Sequence, residues 1–138
     1  MKGRVLGVLC AVVSCGASFA QVSQQYSSCI SKANTQTAMQ LCANQEALRV
    51  DSELNDVYRK LLTAAASQSA AVEKIRAAER AWIAYRDAYI EAMYPAKDKQ
   101  ASYGSIFPME ADLLRAKLTH QQIGALQDLL KQYSGSTQ

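Results

Sequence analysis

ERAWIAYRDA, residues 79–88, contains the one tryptophan of this 138-residue chain. Trp82, Tyr85 and Tyr89 follow one another at steps of three and four, a spacing that puts three rings on one face of an α-helix. Arg86 lies one turn beyond Trp82, where its guanidinium can stack on the indole or reach a carboxylate of another helix. The segment therefore predicts a helix whose aromatic face packs against neighbouring helices.

Two interpretations of this segment remain open. In the structural one, its aromatic and charged side chains hold a helical bundle together. In the functional one, they form an exposed contact surface for another protein. The periodicity favours the structural interpretation, in which the structural residues are Trp82, Tyr85, Arg86 and Asp87. The helix is expected from about Ala70 to Met93, with an inward stripe of Val72, Ile75, Ala78, Trp82, Tyr85, Tyr89 and Met93.

Helical spacing of apolar side chains recurs on both sides of this segment. It predicts one helix over about 35–66 and another over about 108–133. The residue before a proline is driven out of helical conformation, so Tyr94-Pro95 ends the middle helix and residues 95–107 form an irregular connection. In the last helix His120 falls in phase with the apolar face, which predicts a buried or half-buried histidine.

No segment shows the sustained alternation of apolar and polar residues that marks a strand. The sequence therefore predicts an all-α fold, a small antiparallel bundle of three main helices. A short helix around Cys29 would make it a four-helix bundle. The ordered core is expected at about residues 29–133.

The first twenty residues have the form of an export signal. A cationic start precedes a short apolar run, and small residues at 18–20 predict cleavage between Ala20 and Gln21. Residues 1–20 are then a signal peptide and residues 21–138 the folded domain. A second processing route remains open. The residues before Cys15 resemble a lipobox, and lipidation of Cys15 would anchor the protein to a membrane.

Removal of this leader changes the charge and the cysteine count. Two of the fifteen basic residues and none of the twelve acidic ones leave with it, so the net charge falls from +3 to +1. That balance argues against a nucleic-acid partner, and no later apolar run is long enough for a transmembrane helix. Cys29 and Cys42 remain, and in an exported chain they predict a disulfide worth about 3 kcal/mol.

The residues give no support for catalysis. His120 is the single histidine, and no HExxH, phosphate-loop or dinucleotide motif is present. The acidic side chains fall on the predicted solvated faces of helices. We therefore expect a binding protein, not an enzyme, with no catalytic residue, metal site or cofactor.

A candidate binding surface lies in the connection after the middle helix. Residues 94–107 contain Tyr94, Tyr103 and Phe107 among serine, glycine and lysine, a composition typical of adaptable contact surfaces. The alternative is a plain loop whose tyrosines fold back onto the bundle.

The chain resembles the LprI-type lysozyme inhibitor domain, a family of the bacterial cell envelope. The resemblance covers most of residues 29–130, and its most specific part is the Trp-x-x-Tyr-Arg-Asp string that starts at Trp82. It implies an exported, helical, disulfide-bonded domain and, for a few members, inhibition of lysozyme. The other residues that carry it are Cys29, Thr35-Gln36-Thr37-x-Met39-x-x-Cys42 and Asp51-x-Glu53-Leu54-Asn55-x-x-Tyr58-x-x-Leu61-Leu62.

This sequence departs from the family pattern at a second cysteine pair. By spacing, those two positions are Ile90 and Leu114 here. We therefore expect an aliphatic contact in place of the second disulfide, with the last helix held by packing alone.

The expected function is that of an envelope protein, periplasmic or secreted, that blocks a lysozyme-like muramidase. The expected contacts are Tyr94, Tyr103 and Ser105, which would enter a glycan-binding cleft. The alternative is a periplasmic interaction module with a non-muramidase partner, and the oligomeric state is left open.

A net charge of +1 gives no overall attraction to a basic lysozyme. A local acidic patch could supply it, formed by Glu46, Asp51, Glu53 and Asp56.

Overall fold

A computed structural model describes residues 22–135, which form helices and no strands. The all-α prediction is confirmed, and the long helices begin and end within a few residues of the predicted bounds. The short helix around Cys29 is present as well. The elements are α1 (Gln24–Ile30), α2 (Gln36–Ala64), α3 (Ser69–Met93), α4 (Lys99–Tyr103) and α5 (Phe107–Gly135).

The expected signal peptide, its cleavage site before Gln21 and the alternative lipid site at Cys15 lie outside the described residues. Between residues 22 and 135, no helix has both the length and the apolar character needed to cross a bilayer.

α2 and α5 form the central pair of the bundle and run parallel. The Asn44 amide donates to the Asp112 carboxylate at 3.4 Å, and the Thr119 hydroxyl donates to Asp51 at 3.2 Å. Both pairs are 68 residues apart in sequence, so one register holds along two turns of helix. The apolar core lies along this seam and includes Ala47, Val50, Leu54, Val57, Leu61, Ala116, Ile123 and Leu126.

α3 runs antiparallel to both of these helices. Gln122 of α5 donates to Glu79 of α3 at 2.9 Å, and nearer the other end of α3 the Tyr94 hydroxyl donates to Glu110 at 3.4 Å. The chain therefore goes up, down and up, as an antiparallel bundle of three long helices must. In such a bundle the first and last long helices are parallel.

The rotation of α3 differs from the predicted one. Tyr85, Tyr89 and Met93, expected to face inward, are 56%, 39% and 53% exposed. The inward stripe instead contains two charged side chains, because each finds a partner on a neighbouring helix, as described below. Apolar spacing along one helix cannot detect such partners. The inward stripe is Ile75, Glu79, Trp82, Arg86, Ile90 and Tyr94.

The prediction for His120 is also wrong, since its side chain is exposed. Thr119, one position earlier, is fully buried against α2. Its hydroxyl can be buried because it donates a hydrogen bond to Asp51, and this turns His120 to the flank of α5. α5 continues without a break through both residues.

α1 is attached to the start of α2 by the predicted disulfide. Cys29 and Cys42 are bonded, with their Cα atoms 5.7 Å apart. Ser23 caps α1 by accepting from the Tyr26 amide at 3.0 Å, and its hydroxyl donates to Glu46 of α2. α1 therefore lies antiparallel to α2 and is fixed to it at both ends.

We predict that cysteines at Ile90 and Leu114 form a second disulfide. Ile90 lies one turn before Tyr94 in α3, and Leu114 lies one turn after Glu110 in α5. The Tyr94–Glu110 contact therefore sets these two positions opposite each other. The Ile90→Cys/Leu114→Cys protein should lose both new thiols on air oxidation, as counted by thiol titration and intact mass. Persistence of both free thiols would contradict the antiparallel register. A Tyr85→Cys/Leu114→Cys protein is the control that should stay reduced.

Candidate functional site

The connection between α3 and α5, residues 94–107, is termed the tip segment. Tyr94, Tyr103 and Phe107 form an aromatic cluster at its base. The Tyr94 ring lies 5.3 Å from the Tyr103 ring and 5.0 Å from the Phe107 ring, both edge-on, and the remaining pair is 5.9 Å apart. Edge-to-face contacts of this kind are favourable beyond the area they bury. They hold the two ends of the tip segment together.

Polar contacts fix the backbone around this cluster. The Tyr103 hydroxyl accepts from the Ala96 amide at 3.1 Å. Lys99 donates to the carbonyl of Tyr94 and to the Glu91 carboxylate, both at 2.8 Å. One lysine therefore joins the C-terminal end of α3 to the tip segment.

Tyr94 is held as a neutral hydrogen-bond donor. Burial raises its pKa above the usual value of 10.0, and the neighbouring Glu110 carboxylate raises it further. Its hydroxyl therefore stays protonated to a higher pH than that of an ordinary tyrosine, and it donates to Glu110.

The tip segment also contains a helix that the sequence did not predict. Asp98 caps α4 by accepting from the Ala101 amide at 2.9 Å. Gly104 ends it with φ at 75°, a conformation that side chains with a Cβ rarely adopt. Ser105 and Ile106 follow this turn and are exposed, Ile106 by 41%.

The predicted contact residues are thus placed differently from one another. Tyr94 and Tyr103 are half-buried with their hydroxyls bonded, so the folded-back alternative describes them. Ser105 is exposed as a contact residue must be. Ile106, which follows Gly104-Ser105, is also exposed and was not among the predicted contact residues.

A second constellation joins the three long helices. Arg86 approaches Asp51 of α2 at 3.6 Å, and the same Asp51 oxygen accepts from Thr119 of α5. The guanidinium also lies 5.2 Å from the centre of the Trp82 ring. Both predicted contacts of Arg86 therefore occur together. Asp87 holds the other side of the guanidinium at 2.9 Å.

Tyr85, which was predicted to be structural, does not join this junction. Its ring contacts Tyr89 at 5.9 Å on the outer surface of α3.

The expected acidic patch on α2 is largely paired with arginines. Glu46 and Glu53 both pair with Arg49, Asp51 pairs with Arg86, and Asp56 pairs with Arg59. Three arginines thus face four carboxylates, so the set keeps about one negative charge to offer a basic partner.

Glu46 is the buried member of this set. Arg49 donates to its carboxylate through two nitrogens, each at 3.0 Å, and Ser23 of α1 donates as well. Hydrogen bonding by Arg49 holds the pKa of Glu46 below 4.5, against the opposing effect of burial. Among residues 22–135 no group of three or more histidine, cysteine, aspartate and glutamate side chains is arranged to bind a metal ion.

Comparison with known proteins supplies a family. Residues 29–126 match the family described as lysozyme inhibitor LprI. An uncharacterized protein of Rhizobium meliloti (strain 1021) is 32% identical over 111 residues, which cover 72% of this chain and 77% of the relative. No solved structure matches.

We predict that Glu46 contributes stability that acid removes. Its pKa is lower in the folded than in the unfolded chain, so the contribution is complete above the ordinary value of 4.5 and is lost as the pH falls through the lower folded value. Glu46→Gln should cost about 1–2 kcal/mol at pH 7, and the gap in melting temperature to the unmodified protein should narrow as the pH falls below 4.5. Glu53→Gln, which removes the more exposed partner of Arg49, is the matched control and should cost under about 1 kcal/mol. A gap that stays constant with pH would be inconsistent with this assignment.

Proposed function

This chain belongs to the LprI lysozyme inhibitor family, and on that premise we propose that it binds a lysozyme-like muramidase and blocks it without catalysing a reaction. The supporting observation is the family match over residues 29–126, which includes all of α2, α3 and the tip segment.

The proposed contact is the tip segment, with Tyr94, Tyr103 and Ser105 as its expected residues. The aromatic cluster and Lys99 hold this segment in one conformation before any partner arrives. A preformed protrusion loses little conformational entropy on binding, which favours affinity. In this arrangement the two tyrosines support the turn, and Ser105 with Ile106 touches the partner.

The charges favour recognition by shape over long-range attraction. The acidic side chains of α2 are paired, and the expected mature chain has a net charge of +1. Association with a basic muramidase should therefore depend weakly on ionic strength. An exposed isoleucine beside a small serine suits a concave glycan-binding cleft.

Export belongs to the same proposal. The Cys29–Cys42 disulfide is the kind of bond that forms in an oxidising compartment outside the cytoplasm. Residues 1–20 would act as the signal peptide and place the protein in the periplasm or outside the cell. Anchoring through a lipidated Cys15 is the alternative.

A second candidate function is a periplasmic interaction module with a non-muramidase partner. Tyr85, Tyr89 and Met93 favour it, because they expose apolar and aromatic surface on the second half of α3. Capture of one non-muramidase envelope protein, lost in a Tyr85→Ser/Tyr89→Ser variant, would support this candidate.

The test of the leading proposal is a muramidase assay with a panel of enzymes of different classes. We predict inhibition of at least one enzyme at micromolar concentration. Ile106→Asp should weaken inhibition by about tenfold or more, because it places a charge in a desolvated contact. Lys131→Gln, an exposed substitution near the opposite end of α5, is the control and should inhibit like the unmodified protein.

Unchanged muramidase activity with every enzyme of the panel would contradict the proposed function. Full inhibition by the Ile106→Asp protein would leave the function standing and exclude the tip segment as the contact.

A further inference from the structure

A groove of about 390 Å³ lies between α2 and α3, on a different part of the molecule from the tip segment. Leu54 and Tyr58 of α2 line one wall, and Trp82 and Ile83 of α3 line the other. Its size is within the range of clefts that hold small ligands or short peptide segments.

The carboxylates in this groove already have partners. Asp51 is bonded to Thr119 and Arg86, and Glu79 accepts from Gln122. Both carboxylates of the groove are therefore paired within the protein.

Two arginines on the rim of the groove have no such partner among residues 22–135. Arg76 and Arg80 are both exposed, and within residues 22–135 neither guanidinium has a hydrogen bond or an ion pair. They are four residues apart on α3, so their side chains lie on the same side of the helix. The groove thus offers a pair of free guanidiniums above an apolar and aromatic floor.

We propose that this groove binds an acidic segment of a partner protein. The carboxylates of that segment would pair with Arg76 and Arg80, since guanidinium and carboxylate match in a two-bond geometry. An apolar side chain of the segment would lie against Trp82 and Ile83. The wall from Arg76 to Arg86 spans about 15 Å of helix, which accommodates about four or five extended residues.

The partner in this groove differs from the one proposed for the tip segment. Arg80 and Tyr94 are separated by about 21 Å along α3, so one short segment does not reach both. The free charge of the groove is positive, and it complements an acidic protein where a basic lysozyme would be repelled. The inference therefore goes beyond muramidase inhibition and does not depend on it.

The test uses a fluorescein-labelled hexapeptide of alternating glutamate and leucine, titrated with the protein and followed by fluorescence anisotropy. We expect saturable binding that weakens with added salt. A peptide with glutamine in place of glutamate should bind at least about tenfold more weakly.

The Arg76→Gln/Arg80→Gln protein should lose about tenfold or more in affinity for the glutamate peptide. Lys60→Gln/Lys74→Gln removes the same net charge from exposed positions outside the groove, and it should bind within about twofold of the unmodified protein. All four side chains are exposed, so the variants should keep the helical circular dichroism spectrum, which is measured first.

Three results would overturn the proposal. The first is the absence of saturable binding of the glutamate peptide. The second is equal affinity of the two double variants for that peptide. The third is binding of an oligogalacturonate by a protein that does not bind the glutamate peptide. The last would assign the groove to an anionic glycan.

Discussion

One carboxylate on α2 sets how the three long helices meet. Asp51 accepts from the fully buried Thr119 of α5 and pairs with Arg86 of α3 through the same oxygen. Its side chain keeps a third of its surface in solvent, so the ion pair forms without the large desolvation penalty of a fully buried one. Arg86 faces this oxygen, and together with the buried Ile75 and Ile90 on the same face it defines the rotation of α3 about its own axis.

The surfaces available to partners follow from that rotation. With Arg86 inward, Trp82 packs under its guanidinium while Tyr85 and Tyr89 turn outward. The same rotation places Arg76 and Arg80 at the rim of the α2–α3 groove. It also brings Tyr94 to the base of the tip segment, where the aromatic cluster holds the turn that presents Ser105. The structural junction and the proposed binding surfaces are therefore parts of one arrangement.

Much of this fold was predictable from local patterns, and the exceptions share one cause. Helical spacing predicted the bounds of the long helices and both contacts of Arg86. The expected export of the chain predicted the Cys29–Cys42 disulfide. The orientations of Tyr85 and His120 did not, because periodicity assigns charged residues to solvent. The charged Glu79 and Arg86 and the polar Thr119 are instead buried or half-buried, because each has a partner on a helix distant in sequence. Within the tip segment, Tyr94 and Tyr103 support the turn because their hydroxyls have a local acceptor and a local donor, which a sequence pattern does not show.

The most direct test of this account is a double-mutant cycle between Asp51→Ala and Arg86→Ala, with free energies of unfolding measured in urea. The cycle cancels the packing that each alanine removes on its own and isolates the coupling of the two side chains. The account predicts a coupling free energy between the Asp51 and Arg86 side chains of about 1 kcal/mol or more. Tyr85 stays exposed in the unmodified protein. A coupling within about 0.3 kcal/mol of zero would contradict it. The rotation of α3 would then be set by apolar packing alone.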